Sequence, residues 1–575
     1  MKKLKKGSMI IIILLSVITI ISGVAVVFFV QKEKKSNITV GIDDWKYNSE
    51  SLYASINDFS SAISGVTSNT KNTMTTTSES YLGYTVGGAS NANNFRENIK
   101  NNYLPLSTDI TYNGLYSEYN FETGVSIQKS DEMFYPSYSC AVSTDPISKG
   151  QEYYLSVGLN SNIKESDFER KKLNIVVVFD ISGSMSSSFN SYYYDGKKSD
   201  LDHKSKMKVA QECINELIDK LNPDDRFGVV LFDDQAYLGK ELSLKSDTNV
   251  EAIKKHISEI TPQGGTNFSA GYNEGTKLFN EYLKDEEYQN RIIVITDAMP
   301  NLGATSSSGL WSLINKNAQN KVYTSFIGVG VDFNTELTEK ISDVKGANYY
   351  SVHNSKEFKK ILVEEFDYMV TPLIFDLDLS LQSDDFEIEN VYGTDSVNKI
   401  TGNIMHVNTL FPSSSNSEGE VKGGIVVLKL KKKNESTSNN INLKISYRDS
   451  KNQKHSNEQI VNFKESQNDY YDNTGIRKAI VLARYVNTLK NWIIYEKSNN
   501  QEFFINEQTG ITEFNYEEEY IKRVLNENEI TSTKLTVSEN YKKIFKQIKS
   551  YIDQENNVLN DENLENEIEI LNILI

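Results

Sequence analysis

Residues 171–371 contain short, continuous apolar runs that alternate with segments of helical periodicity. The first run, LNIVVVFD, ends in Asp180. The later runs lie at 227–234, 291–297, 321–330 and 348–352. Runs without polar interruption are typical of parallel strands that are buried on both faces. Residues 204–222 place one apolar stripe on a helix, formed by Met207, Ala210, Ile214, Leu217, Ile218 and Leu221. The alternation predicts an α/β domain, with a mainly parallel sheet and helices on both faces.

The hydrophobic period changes on both sides of this region. Residues 81–170 mix Tyr, Gly and Asn with short apolar runs, which predicts a small β-rich N-terminal segment. Residues 372–467 alternate apolar and polar positions, as in Phe375, Leu377, Leu379 and Leu381. This period of two predicts an antiparallel β-sandwich-like domain. Helical periodicity returns in residues 468–575, which we expect to form a helical tail.

The N-terminus has the pattern of a membrane anchor. Residues 8–30 are apolar and uncharged, and about 20 such residues are enough to span a bilayer. Residues 1–7 carry four lysines, which favours a basic cytoplasmic stub before a transmembrane signal anchor. A cleaved signal peptide is the alternative, although the segment ends in VVFFV rather than in small residues. Either interpretation places the bulk of the chain outside the cytoplasm, as a single-pass cell-membrane protein if the anchor is retained. Residues 31–80 are rich in Ser, Thr and Asn, which predicts a tether.

Charge and cysteine content exclude several classes of protein. The formal net charge is −17, and the charged residues before residue 31 are all lysines, so the remainder is more acidic still. Such a surface argues against a general nucleic-acid partner. The two cysteines cannot form a disulfide scaffold. Cys213 adjoins an apolar helix face and is expected to be a buried free thiol, although a Cys140–Cys213 disulfide stays open as an alternative.

Oxygen-bearing side chains follow three of the predicted elements. Asp180, Ser182 and Ser184 come directly after the first strand, Thr266 follows two glycines before a helix, and Asp297 ends a later strand. Ligands of open α/β sheets bind beyond the carboxyl ends of the strands, so these residues are expected to converge. Hydroxyls and carboxylates are hard donors that suit Mg²⁺, Mn²⁺ or Ca²⁺. We therefore predict a metal site without catalytic residues.

The spacing of these residues resembles the metal-ion-dependent adhesion site of von Willebrand factor type A (VWA) domains. The stretches LNIVVVFDISGSM, GGTN and ITDAMP contain all five positions in order. Longer stretches are similar to bacterial surface proteins related to calcium-activated chloride channel regulators and to inter-alpha-trypsin inhibitor heavy chains. The resemblance implies a Rossmann-like sheet in residues 171–371. It also implies that the hydroxyls of Ser182, Ser184 and Thr266 bind the metal directly, whereas Asp180 and Asp297 act mostly through water.

Three functions from different classes are consistent with this pattern. The first is an anchored extracytoplasmic protein whose metal binds an Asp or Glu of a partner protein, in adhesion or another protein–protein interaction. The second is a cell-envelope scaffold or assembly factor, in which the VWA domain acts within a larger complex. An enzyme is disfavoured because GxSxG, HExxH, CxxC and GxxxxGK[ST] motifs are absent from the sequence. The loop 186–204, with three tyrosines, is a candidate partner contact, and a helix at 356–370 is a candidate reporter of metal occupancy.

Overall fold

The computed structural model describes most of the chain beyond residue 80 and one short segment before it. The described residues are 41–48, 81–89, 93–124, 132–188, 204–297, 307–329, 343–352, 365–394, 403–433, 439–498 and 533–575. The predicted anchor 8–30, its basic stub, most of the tether, the three tyrosines of the loop 186–204 and most of the helix 356–370 lie outside them. None of the helices in the described ranges is long and apolar enough to cross a membrane.

Two large sheets, two small two-stranded sheets and a helical layer make up the described chain. The strands before the α/β domain are β1 Tyr81–Val86, β2 Gly88–Ala89, β3 Tyr103–Leu104, β4 Asn120–Phe121, β5 Phe134–Thr144 and β6 Gln151–Lys164. The strands of the α/β domain are β7 Lys172–Asp180, β8 Arg226–Phe232, β9 Ala236–Leu244, β10 Tyr288–Thr296, β11 Val322–Val329 and β12 Asn348–Val352. The later strands are β13 Ile374–Gln382, β14 Phe386–Tyr392, β15 Ile404–Ser413, β16 Val421–Lys422, β17 Ile425–Lys432, β18 Asn440–Asp449, β19 Lys454–Asn462, β20 Tyr470–Tyr471 and β21 Thr533–Lys534.

The helices fall into the same three groups. The first part contains α1 Asn93–Lys100 and α2 Tyr112–Tyr116. The α/β domain contains α3 Lys206–Lys220, α4 Val250–Glu259, α5 Phe268–Lys277, α6 Ser307–Gln319 and α7 Phe366–Met369. The tail contains α8 Thr474–Lys497, α9 Glu539–Leu559 and α10 Leu564–Leu574.

The α/β domain has the mainly parallel sheet that the apolar runs predict. Its strand order is β2-β12-β11-β10-β7-β8-β9, and the hairpin strand β9 is antiparallel. Successive residues of β7 face opposite cores, so Val177 belongs to one apolar cluster and Val178 to the other. Strands β7 and β10 are parallel neighbours, with Ile295 opposite Phe179. Their carboxyl ends therefore place Asp180 and Asp297 at the same edge of the sheet.

The second sheet combines strands from before and after the α/β domain. Strand β6 pairs with β5, β1 and β17, and β1 pairs with β15. Side chains from both parts share one core, for example Val157 with Leu443. Residues 81–170 and 372–467, which the sequence suggested as separate units, thus contribute to one ten-stranded sheet. Local periodicity indicates a strand but not its distant partner, so this pairing was not visible in the sequence.

The C-terminal helices also pack on the first part of the chain. The apolar stripe of α8 is buried against side chains such as Phe95 and Tyr116. Arg96 reaches the buried Glu567 of α10, and a second arm of its guanidinium lies 2.7 Å from Glu118. A buried pair of this kind is costly to break, because the remaining charge loses its partner. The helical tail predicted from residue 468 is therefore part of one folded body with the first hundred or so residues of the described chain.

The segment 41–48 lies against the edge of the α/β domain, within the predicted tether. Trp45 stacks on His256 of α4 with ring centroids 5.6 Å apart, and the Lys46 amide donates to Gly239 O of β9. Asp44 lies 3.2 Å from Nζ of the buried Lys240. Part of the polar region 31–80 is therefore ordered on the domain, because the Trp45 ring and an ion pair to a buried lysine hold it there.

The two cysteines are not bonded to each other. Cys140 is buried in β5 of the second sheet and Cys213 is buried in α3 of the α/β domain. The disulfide that stayed open in the sequence is absent, because the two thiols belong to the cores of different sheets. Burial raises the pKa of the Cys140 thiol to about 12, so this thiol stays protonated and unreactive at neutral pH.

Candidate metal centre

Asp180 is the most buried carboxylate of the predicted site and is held in place by two hydrogen bonds. It is fully buried at the end of β7, where one carboxylate oxygen accepts a hydrogen bond from the Ser182 amide at 2.8 Å. The other oxygen accepts from the hydroxyl of Thr296, the last residue of β10. These two bonds fix the carboxylate between two neighbouring strand ends. The Asp-x-Ser loop and the strand β10 are thereby joined at the edge of the sheet.

Ser182, Ser184 and Asp297 form a continuous chain of oxygen atoms beside Asp180. The two serine Oγ atoms are 3.0 Å apart, and Ser184 Oγ donates to Asp297 Oδ1 at 2.9 Å. Ser182 and Asp297 are buried. Four of the five residues predicted from the sequence are therefore in mutual contact, directly or through Thr296.

Thr266 belongs to a loop that the backbone ties to the first one. The Gly183 amide donates to Gly264 O at 3.1 Å, and the Gln263 amide donates to Ile181 O at 2.7 Å. The Thr266 side chain is exposed, and no hydrogen bond from it is found among the described residues. The structure thus places the loop of Thr266 against the Asp180 loop but does not bring its hydroxyl into the chain of oxygens.

Gly264 makes the close approach of this loop possible. Its φ is +65°, and a Cβ at this position would lie 3.1 Å from both Cβ and Cγ of Asp233. Asp233 cannot easily move, because its carboxylate accepts from the Gln235 amide and from the side chains of Tyr237 and Gln263. Glycine is therefore required here for conformation and for space.

We expect Gly264→Ala to lower both the melting temperature and the affinity for divalent cations. The strain at positive φ costs about 1–3 kcal/mol, and the displaced loop carries Thr266 away from the site. Gly419→Ala is the matched control, since Gly419 also has a positive φ, of +82°, but has no neighbour within 4 Å of an added Cβ. The control should lose stability but keep its Mn²⁺ affinity. Thermal melting measures the stability and calorimetric titration measures the affinity. Equal Mn²⁺ affinity in Gly264→Ala and the wild type would contradict this role of the loop.

The electrostatics of the edge are dominated by two carboxylates and one ammonium group. Burial, and then the charge of Asp297, raise the pKa of Asp180 to about 7. Lys206, the first residue of α3, places Nζ 2.9 Å from Asp297 Oδ2. The side chains of Lys206 and Asp297 are only 6% and 1% exposed. Lys206 could not be predicted from the sequence, because a lysine at a helix start within a charged segment carries no signal of its own.

These residues fit a hard divalent cation. The donors are carboxylate and hydroxyl oxygens, which suit Mg²⁺, Mn²⁺ or Ca²⁺. The raised pKa of Asp180 shows that its buried charge is poorly compensated by the protein alone. The described ranges contain no group of three or more His, Cys, Asp or Glu side chains close enough together to hold a metal ion. A site of this kind depends on serine and threonine hydroxyls instead.

An open, mainly parallel sheet with an oxygen-lined carboxyl edge defines a Rossmann-like domain with a candidate cation site. The family model of the von Willebrand factor type A domain matches residues 174–364. The α/β part of this chain is therefore a VWA domain, as the sequence motifs predicted. The five-residue adhesion site within it stays a prediction. The match does not include the second sheet or the helical tail.

Curated relatives match between about a third and two fifths of the chain. Human inter-alpha-trypsin inhibitor heavy chain H2 is 24% identical over 206 residues, which are 35% of this chain and 20% of that protein. The uncharacterized protein YfbK of Escherichia coli is 24% identical over 237 residues, which are 40% of this chain and 37% of that protein. The chain thus spans about a fifth of the heavy chain that it matches. The similarity to heavy chains and bacterial VWA proteins is confirmed for this domain.

Two solved structures are among those that this chain matches. The match to a von Willebrand factor type A protein from Catenulispora acidiphila covers 63% of this chain and 82% of that protein's chain. The two are 13% identical, with a TM-score of 0.39. The match to the ArnB paralog VWA2 from Sulfolobus acidocaldarius covers 77% of this chain and 97% of that protein's chain. The two are 12% identical, with a TM-score of 0.36.

Proposed function

We propose that this chain is a membrane-anchored, extracytoplasmic binding protein whose VWA domain holds a divalent cation and, through it, an acidic residue of a partner protein. The observation that supports the proposal is the chain of oxygens from Asp180 through Ser182 and Ser184 to Asp297 at the carboxyl edge of the sheet. VWA domains commonly bind a divalent metal at this edge and mediate protein–protein interaction.

Each residue has a distinct task in this proposal. Ser182 and Ser184 supply neutral hydroxyl ligands, Thr266 supplies a third from the Gly-rich loop, and Asp180 and Asp297 supply the negative charge. The cation, when bound, supplies the positive charge that attracts a carboxylate from outside. Asp180 is oriented by the Ser182 amide and the Thr296 hydroxyl, so the edge is preorganised before any ligand arrives. Preorganisation lowers the entropy cost of binding.

The acidic character of the chain supports the same function. At a net charge of −17, the protein as a whole repels an acidic partner. A cation held at one edge creates a local positive site on an otherwise unfavourable surface. Recognition of the partner then depends on the metal, because removing it restores the repulsion.

The test uses the full chain, purified in detergent, and an array of short peptides that each contain one Asp or Glu. Every peptide is paired with its Asn or Gln counterpart, and binding is measured in Mn²⁺ and in EDTA. We expect binding that requires both the carboxylate and the cation. Binding that persists in EDTA, or that is equal for the amide peptides, would exclude metal-mediated capture of an acidic residue.

The location of the protein needs a separate experiment. We expect the full chain to sediment with membranes, deletion of residues 8–30 to release it, and protease added outside the cytoplasmic membrane to digest its bulk. A chain that stays soluble, or that resists external protease until the membrane is lysed, would contradict the proposed anchor and topology. Crosslinking in intact cells then separates adhesion, with a partner on another cell, from an envelope scaffold, with partners in the same envelope.

A further inference from the structure

A lysine lies inside the candidate metal centre. The chain runs from the Asp180 loop to α3, and a backbone hydrogen bond from the Lys206 amide to Ser187 O closes this connection at 3.0 Å. Lys206 Nζ lies 2.9 Å from Asp297 Oδ2, while Ser184 Oγ donates to Asp297 Oδ1. Both oxygens of Asp297 are therefore engaged by the protein, one of them by a buried positive charge.

The charges at this edge do not cancel. Asp180 and Asp297 contribute two negative charges and Lys206 contributes one positive charge, so these three groups total −1 when ionised. Asp233 and the exposed Asp234, on the neighbouring loop, add negative charge at this edge, but Asp233 is hydrogen-bonded by Gln235, Tyr237 and Gln263 and not by Lys206. Adding a divalent cation to the three groups brings their total to +1. One further carboxylate brings the total to zero.

We propose that Lys206 is a built-in counter-ion that weakens the binding of a divalent cation alone and leaves a net positive charge for the acidic ligand to neutralise. This inference rests on the proposed function and deepens it, because it assigns a residue that sets the preference for a carboxylate ligand. Lys206 repels the incoming cation and competes with it for Asp297. The carboxylate of the partner relieves this repulsion, so the cation and ligand bind cooperatively.

If Lys206 had only a structural role, its removal would change the cation affinity in the opposite direction. If the ammonium group only holds Asp297 in place, its removal loosens a metal ligand and weakens cation binding. If it is a competing charge, its removal strengthens cation binding, because a buried like charge is lost. The direction of the change in affinity therefore distinguishes the two roles.

The test is calorimetric titration of the full chain in detergent with Mn²⁺. For Lys206→Met and for Lys206→Gln, which keeps a hydrogen-bond donor, we expect Mn²⁺ affinity to rise by at least about tenfold. The melting temperature in EDTA should fall in both, because the buried Asp297 carboxylate loses its counter-ion. Lys206→Arg, which keeps the charge, should bind Mn²⁺ like the wild type. Lys208→Met removes an exposed charge from the same helix turn and should change neither quantity.

Acetate serves as the carboxylate probe. Acetate should tighten Mn²⁺ binding by the wild type more than by Lys206→Gln, because Lys206 leaves the metal-bound groups with one more positive charge. The effect of acetate on Mn²⁺ affinity equals the effect of Mn²⁺ on acetate affinity, since the coupling between two ligands is reciprocal. Unchanged or weaker Mn²⁺ affinity in both Lys206→Met and Lys206→Gln would overturn the counter-ion role. Equal acetate effects in the wild type and Lys206→Gln would overturn the assigned ligand preference. A wild type that binds no Mn²⁺ would instead overturn the proposed function itself.

Discussion

Asp180→Ala should abolish the stabilisation of this protein by divalent cations. A cation that binds only the folded chain stabilises it and so raises the melting temperature. The free energy of unfolding rises by about 2.7 kcal/mol when the cation concentration is 100 times the dissociation constant. Asp180 is fully buried between the Ser182 amide and the Thr296 hydroxyl, so no neighbouring carboxylate can take its place. We expect Mg²⁺, Mn²⁺ or Ca²⁺ to raise the melting temperature of the wild type, and to leave that of Asp180→Ala unchanged.

The control for this prediction is Asp234→Ala. Asp234 is an exposed acid at the same edge, where its carboxylate lies beside Gly264 and Gly265. Its removal lowers the negative charge near the site by the same amount but leaves the chain of oxygens intact. The metal-induced rise should therefore persist in Asp234→Ala. A rise that survives in Asp180→Ala, or that disappears equally in both variants, would refute the assigned role of Asp180.

Asp225→Ala should destabilise the VWA domain by about 3–5 kcal/mol. Asp225 is fully buried and accepts hydrogen bonds from two guanidinium nitrogens of Arg170, at 3.0 and 2.7 Å. It also accepts from the amides of Leu173 and Asn222. Arg170 lies between the second sheet and β7, so this carboxylate fixes the entry of the chain into the domain. Its removal takes one of two carboxylate partners from a mostly buried guanidinium, which keeps Asp367, and leaves two amides without this acceptor.

Asp224→Ala is the matched control for this change. The Asp224 side chain is 55% exposed and lies 3.6 Å from Lys172 Nζ, and exposed pairs of this kind contribute about 0–1 kcal/mol. Thermal melting and amide hydrogen exchange in β7 and β8 measure both variants. We expect faster exchange in these strands for Asp225→Ala only. Similar protection in the two variants would show that the Arg170–Asp225 contact contributes little.

The predictable part of the fold depended on local signals. The run that ends in Asp180 is buried on both faces, and this burial is why its residues are uniformly apolar. Carboxyl ends of parallel strands meet at one edge, so the strand positions also predicted that Asp180 and Asp297 converge. Strand β9 was missed, since its burial is partial and its sequence, AYLGKELSL, mixes charged and apolar residues.

The features that sequence did not indicate are contacts between distant segments. An Asp-Asp-Arg stretch at 224–226 is typical of a turn. The neighbouring sequence did not indicate that Asp225 would be buried and hydrogen-bonded to Arg170. The pairing of β6 with β17 joins residues on either side of an inserted domain of about two hundred residues. Trp45 lies in a polar region whose composition predicts a tether, and its stacking on His256 depends on the folded domain.

The most direct test of the central claim is a crystal structure of the protein grown with Mn²⁺, examined by anomalous scattering. The proposed function predicts one Mn²⁺ at the carboxyl edge of the VWA sheet, among the side chains of Asp180, Ser182, Ser184, Thr266 and Asp297. The same position should hold no anomalous signal in Asp180→Ala. A well-ordered edge without Mn²⁺ at saturating concentration, or Mn²⁺ bound only elsewhere, would contradict the proposed metal centre.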